Sequence, residues 1–174
     1  FELFGRSSYG MGIPIKLSEL VEFVRLKEKD GIRLLVVHND LDDFVNFPVV
    51  PIQEYKQAVA LLENNLSSCE IRHRFKPGKL AKYLFPNAVS VVDKAEAISW
   101  PNLVVGLGAP TTFLIECALA EKFTVHITSG PIGHVTRKTL GQKTLKIDRG
   151  SLLEGTKHIA DTIKRGLHVI PPNE

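Results

Sequence analysis

The sequence predicts an α/β fold of three layers, a mainly parallel sheet with helices on both faces. Three observations carry that prediction. Short apolar segments alternate with amphipathic ones, the sequence form of a sheet wound with crossover helices. The clearest apolar segment, Ile32 to Val37, is broken only by Arg33, as in a strand buried on both faces. The polar turns His38-Asn39-Asp40, Lys76-Pro77-Gly78, Asp93 and Gly106 to Thr112 all fall at strand ends, and ligands of such sheets bind beyond the carboxyl ends of the strands.

Phe1 to Gly5 reads as a short first strand, and Arg6 to Gly12 as a Gly/Ser loop that either closes over a ligand or is a linker. Ser18 is a good N-cap, with Glu19 and Glu22 in the first turn of a helix that runs to about Asp30 and ends at Gly31. Leu20, Val21, Phe23 and Val24 form its apolar side. After Ile32 to Val37, residues Leu41 to Pro51 form an irregular loop. Gln53 to Leu66 is an amphipathic helix with Tyr55, Ala58, Val59, Leu62 and Leu66 on one face. Cys69 to Phe75 alternates with period two: Cys69, Ile71, His73 and Phe75 face one way, Glu70, Arg72 and Arg74 the other.

Lys79 to Leu84 is a short helix, Ala88 to Val92 a strand, and Asp93 to Ile98 a helical piece with an acidic cap. Leu103 to Val105 is a strand that enters the turn Gly106-Leu107-Gly108-Ala109, and a helix begins at Pro110. Phe123 to Ile127 is the next strand, followed by a loop from Ser129 to Gly133. Leu145 to Asp148 is the last strand, and a final helix starts at Ser151 with the capping-box pair Ser151 and Glu154 and runs to about Arg165.

The 174 residues suffice for one domain, or for one lobe of a larger protein, and a chain that starts at Phe1 without a methionine reads as a trimmed domain or processed fragment. Hydrophobic residues at 44% and charged residues at 24% are ordinary for a globular domain. A net charge of +3 gives no case for nucleic acid as a partner. No apolar run approaches the roughly 20 residues of a membrane span. Cys69 and Cys117 are read as buried, reduced thiols, with a disulfide or a reactive thiol as the alternative; the first reading fits a cytoplasmic setting, with peripheral contact at the inner membrane left open. His126, His134, His158 and His168 lack metal-ligand spacing, so no metal site is expected. No Gly-x-Ser-x-Gly elbow of a serine hydrolase occurs.

The Gly106 to Thr112 turn holds the main candidate site. Gly106 and Gly108 permit close backbone approach, Pro110 suits the first helical position, and Thr111 and Thr112 offer hydroxyls to a phosphate at a helix start. The turn lacks the third glycine of a dinucleotide fingerprint and the Gly-Lys-Ser/Thr of a P-loop. The plain alternative is a tight strand–helix turn capped by threonine. Glu116 shares a helix face with Thr112, placed to accept from ribose hydroxyls, to form a salt bridge to a Lys or Arg at the core edge, or simply to stand exposed. Arg74 and Lys76, with Arg72, form a basic row that either neutralises phosphate or is a solvated strand face. His73, on the opposite strand face, reads as a satisfied core histidine.

These residues resemble the carboxyl-terminal, donor-binding lobe of GT-B glycosyltransferases, in the flavour that builds bacterial capsule and surface polysaccharides. Thr111 and Thr112 match the Ser/Thr pair of those lobes. Leu114-Ile115-Glu116-Cys117-Ala118 matches Leu-x-Glu-Ala, and Ala120-Glu121-Lys122 stands where a Gly-Lys turn is usual. Arg72 to Pro77 matches a basic strand ending in His-Pro, with Lys76 in place of the histidine. The resemblance covers about residues 68 to 165.

It implies a Rossmann-like lobe spanning 1–174 that binds a nucleotide sugar as substrate and needs no cofactor. Gly106, Gly108, Thr111, Thr112, Glu116, Arg74 and Lys76 would be the donor-binding residues. The acceptor-binding lobe would be the missing partner, and the catalytic base stays unassigned. A nucleotide-sugar epimerase of the same architecture, a non-catalytic nucleotide-binding module, and a structural domain whose glycine turn is only packing are the alternatives.

Overall fold

A computed structural model of the chain describes residues 16–38, 51–76, 80–109, 111–129 and 144–167. Five strands form one sheet: β1 (Arg33–His38), β2 (Glu70–Arg74), β3 (Leu103–Leu107), β4 (Phe123–Ser129) and β5 (Thr144–Arg149). Their spatial order is β2-β1-β3-β4-β5, and every pairing is parallel. The helices are α1 (Leu17–Lys27), continued by a 3-10 turn at Glu28–Asp30, α2 (Ile52–Asn65), α3 (Leu80–Leu84), α4 (Lys94–Ser99), α5 (Thr112–Leu119) and α6 (Leu152–Leu167).

Strand alternation divides the core in two. Leu34, Val36, Leu103, Val105, Val125 and Ile127 point to one face, where they meet Leu20 and Val24 of α1, Tyr55, Ala58, Val59 and Leu62 of α2, and Ile159 and Ile163 of α6. Leu35, Val37 and Val104 point to the other face and meet Ala97 of α4 and Leu114 and Cys117 of α5. The result is a three-layer, Rossmann-like α/β fold. Residues 34–37 of β1 are all buried, so its continuous apolar run serves both layers.

Several boundaries move, each for a local reason. The first helix begins at Leu17 rather than after a Ser18 cap, because the Lys16 amide donates to Glu19 Oε1 at 2.9 Å. Gly31 ends that segment at φ +79, a left-handed value suited to glycine. The segment Ala88 to Val92, expected as a strand, contributes one parallel bridge, Ser90 beside His73. The His73 amide donates to Val89 O at 2.8 Å and the Val91 amide to His73 O at 2.8 Å, and pairing stops there. The carbonyls of Val91 and Val92 bond to Arg74 instead of a neighbouring strand.

β3 continues through Gly106 to Leu107, where the sequence suggested a turn from Gly106. Ser129 likewise belongs to β4 rather than to the loop after it. Cys117 is buried, whereas Cys69 is only half-buried; both are free thiols. The expected strand at 1–5, the loop at 6–12, most of the 41–51 loop, Pro110, and the loop after Ser129 lie outside the described residues.

Candidate functional site

Ser90 matters for the topology. The five strands stand in the doubly wound order 2-1-3-4-5, and Ser90 sets a single bridge on the outer side of β2, where a full strand would make the order 3-2-1-4-5-6. The order reverses between β1 and β3, whose ends pair in register, His38 beside Leu107. Ligands of open α/β sheets bind in the crevice at that switch point.

β3 leaves the switch point through Gly108, at φ +79. The Gly108 amide donates to Ile127 O at 2.9 Å, and its carbonyl accepts from His126 Nε2 at 2.7 Å. Those two bonds tie the turn to β4. Gly106 serves a different purpose. A Cβ there would lie 2.6 Å from Leu114 Cδ2, so its bareness lets α5 settle onto β3. One glycine of the pair turns the chain and the other permits helix–sheet contact.

Thr111 is the N-cap of α5, and its Oγ1 accepts from the Leu114 amide at 3.2 Å. One threonine hydroxyl is therefore committed to the helix. Thr112 is exposed, and the amides of Thr112 and Phe113 find no acceptor among the described residues. The start of α6 differs. There Glu54 Oε1 of α2 accepts from the amides of Leu152 at 2.6 Å and Leu153 at 3.3 Å, and Ser151 Oγ accepts from Glu154 at 3.1 Å. A carboxylate already occupies the positive end of α6, whereas α5 is capped by neutral threonine. On the α5 side of β4, the Thr128 hydroxyl is 1% exposed and has no hydrogen-bond partner among the described residues.

The charged candidates have partners of their own. Arg74 donates to the carbonyls of Val91, at 3.1 Å, and Val92, and its guanidinium lies 5.0 Å from the Phe113 ring centroid. It thus bridges β2, the 91–92 segment and the start of α5. Glu116 accepts from Lys94 Nζ of α4 at 2.8 Å, with side chains 37% and 59% exposed. Lys76 is exposed two residues past β2. Gly106, Gly108, Thr111 and Thr112 gather at one turn, Arg74 reaches that turn through Phe113, and Glu116 is turned toward Lys94. Arg72 pairs with Glu70 and Glu96 and stacks over Trp100 at 4.3 Å, a structural use. Next to Glu116, burial pushes the Cys117 thiol up to about 12, and the Glu116 charge adds to the effect, so this is an inert core thiol.

A second polar cluster was missed as a unit by sequence reasoning. His38, the last residue of β1, places Nδ1 3.0 Å from Tyr55 Oη and Nε2 2.9 Å from His73 Nδ1. His73 Nε2 lies 3.1 Å from Glu63 Oε1. His73 is the satisfied core histidine that its strand face suggested. Its partners come from β1 and α2, which no local pattern connects; only the apolar spacing of Tyr55 pointed inward. Burial lowers the pKa of His73 to about 4, and burial with the nearby His73 charge holds His38 well below its ordinary value. Partial burial raises the Glu63 carboxyl. Both imidazoles are therefore neutral at pH 7, and the His73–Glu63 contact is a charge-assisted hydrogen bond rather than an ion pair.

In comparisons with known proteins, no family model, curated protein or solved structure matched the chain. Fold and site geometry define a Rossmann-like domain with an anion-suited helix start at its switch point. Among the described residues no helix is long and apolar enough to cross a membrane, and no group of three His, Cys, Asp or Glu side chains is placed to hold a metal ion.

Proposed function

We propose that the chain is the donor-binding lobe of a GT-B glycosyltransferase that transfers a sugar from a nucleotide-activated donor in polysaccharide or glycoconjugate synthesis. The observation that carries this reading is the uncharged start of α5 at the switch point of an all-parallel, doubly wound sheet. The turn after α5 adds support. Lys122 N–H donates to Cys117 O at 3.1 Å and Glu121 N–H to Ala118 O at 3.2 Å, the two bonds of a Schellman cap. Its left-handed residue is Glu121, at φ 61, a position that favours glycine. The chain thus makes, without glycine, the turn that a Gly-Lys pair makes in the resembling lobes.

In the proposed reaction the bond between sugar and phosphate breaks and negative charge grows on the leaving phosphate. The Thr112 and Phe113 amides meet that charge at the helix start, and preorganised dipoles of this kind can supply a large share of a rate enhancement. Arg74, held by two carbonyls, contributes a fixed positive field beside the turn, and Lys76 adds a second positive charge past the end of β2. Glu116 takes the ribose hydroxyls by exchanging Lys94 for the ligand. The acceptor and the base that deprotonates it belong to another lobe.

Calorimetry with UDP, CMP, GDP and their sugars tests the reading. Binding of one nucleotide class is expected. Thr112→Glu places a carboxylate in the first turn of α5, which should stabilise the helix by about 0.5 kcal/mol while abolishing nucleotide binding. If no nucleotide binds, or binding survives Thr112→Glu in the folded protein, the proposal fails.

A further inference from the structure

We propose that Tyr55, His38, His73 and Glu63 form a proton relay between the switch-point end of the sheet and solvent. The inference goes beyond donor binding and needs no nucleotide. It starts from continuity: the hydrogen bonds Tyr55–His38, His38–His73 and His73–Glu63 measure 3.0, 2.9 and 3.1 Å. The inner groups are sealed, with Tyr55 at 0%, His38 at 3% and His73 at 2% exposure. The outer end is open, since the Glu63 side chain is 43% exposed. His38, which Tyr55 contacts, is the last residue of β1 and pairs beside Leu107 at the end of β3. Phe75 stacks on His38 at 4.2 Å and Phe85 lies 5.2 Å away, so aromatic rings line the path.

The carboxylate fixes the polarity. An ionised Glu63 only accepts, so His73 donates from Nε2 and accepts at Nδ1. His38 must then donate from Nε2 and accept at Nδ1, and Tyr55 donates its O–H to that nitrogen. Every hydrogen bond points outward. An acid bound at the switch-point end gives its proton to the Tyr55 oxygen, its own bond to hydrogen breaking and its conjugate base remaining there, as the Tyr55 proton passes to His38 Nδ1. The His38 Nε2–H bond breaks and an N–H bond forms on His73 Nδ1. The His73 Nε2–H bond breaks, Glu63 becomes a carboxylic acid, and it releases the proton to water. Both imidazoles then hold the other tautomer, and a passage inward restores them. Burial shifts His73 down and Glu63 up, and both shifts favour passage of the proton from imidazole to carboxylate.

A purely structural network would satisfy the same hydrogen bonds, so the test must read proton movement. Long-range proton–nitrogen correlation spectra of the labelled protein give the tautomers, and saturation transfer from water gives the exchange rate of each imidazole N–H. At pH 7 both histidines are expected as the Nε2–H tautomer. Glu63→Gln and Tyr55→Phe, at opposite ends, should each slow exchange of both Nε2–H protons by about ten-fold or more, with backbone amide protection in β1 and α2 unchanged. Glu63→Asp keeps a carboxylate at the exit and should stay within a few-fold of the unmodified protein. An Nδ1–H tautomer at either histidine, slowing in only one of the end variants or in neither, or an exchange rate that follows backbone opening would overturn the relay.

Discussion

The face of the sheet under α1, α2 and α6 and the face under α4 and α5 use consecutive residues of the same strands, yet they treat polar groups differently. The first is covered by helices of 11, 14 and 16 residues, the second by helices of 6 and 8. Long helices exclude water across the first face, so polar groups that enter it bond to one another, as His38, His73 and Tyr55 do. Short helices leave the second face open at its rim, where Arg72, Arg74 and Glu116 find partners in carbonyls, rings and surface charges. Conspicuous charge in the sequence therefore marked the open face. The closed face holds its buried polar side chains in His38, His73 and Tyr55, which bond to one another, and in Thr156 and Thr162, which bond back to carbonyls of α6.

The sharpest test of this contrast is a pair of neighbours, since Leu34 and Leu35 are both fully buried but face opposite layers. Leu34→Ala should cost about 4 kcal/mol, because long packed helices collapse poorly onto a cavity, and Leu35→Ala about 2–3 kcal/mol. Urea unfolding of the two variants measures the difference, and equal costs would remove the distinction between the faces.

Acid comes next. His38 and His73 titrate near 6.5 when unfolded but lower when folded, His73 at about 4. The unfolded chain therefore takes up protons that the native state refuses. The contribution of neutral burial is complete above about pH 6.5 and is lost as pH falls toward 4, by about 2–3 kcal/mol for His73 alone. Glu63, shifted upward, opposes this only within its own titration range. Unfolding free energies measured from pH 7.5 to 4.5 should slope accordingly, and the double variant His38→Phe, His73→Leu should flatten the slope.

Glycines on the two faces give a smaller contrast. A Cβ on Gly166 of α6 would lie 2.8 Å from Val24 Cβ and 3.0 Å from Val21 O, atoms that move only with α1. Gly166→Ala should cost about 2 kcal/mol even after its gain in helix propensity. Gly106→Ala meets Leu114 methyl groups, which can rotate, and should cost about 1 kcal/mol. Thermal melts should rank the two in that order.

At the rim, Glu121→Gly relieves a left-handed residue and should stabilise the fold by about 0.5–1 kcal/mol. Glu116→Gln breaks an exposed ion pair and should change stability by less than about 0.5 kcal/mol. If Glu116 holds ribose as proposed, the same variant weakens nucleotide binding, and calorimetry beside a melt separates the two roles.

Much of the fold was legible because it depends on local periodicity. The inward face of α2, from Tyr55 to Leu66, and the two faces of β2 appear as their spacing implied, since helical and strand repeats sort side chains without reference to partners. The Asp93 cap, accepting from the Glu96 amide at 2.7 Å, and the Ser151 cap were legible for the same reason: the bonds span three residues. The 88–92 strand was not, because edge pairing depends on what lies alongside, and Arg74 takes the carbonyls that a strand would need. Glu116 and Arg74 were recognisable as candidates, but their partners Lys94 and Val91 lie about twenty residues away in the chain.

The sequence by itself determined the alternation of strands and helices, the sidedness of the main elements and a small-residue connection between β3 and α5, all consequences of short-range sterics and apolar spacing. The tertiary structure alone decided the strand order, the carboxylate that fills the start of α6 while α5 stays uncharged, and the hydrogen-bonded line from Tyr55 to Glu63. Those features depend on distances between groups 10 to 99 residues apart, which the packing of helices on a sheet sets and no local pattern encodes.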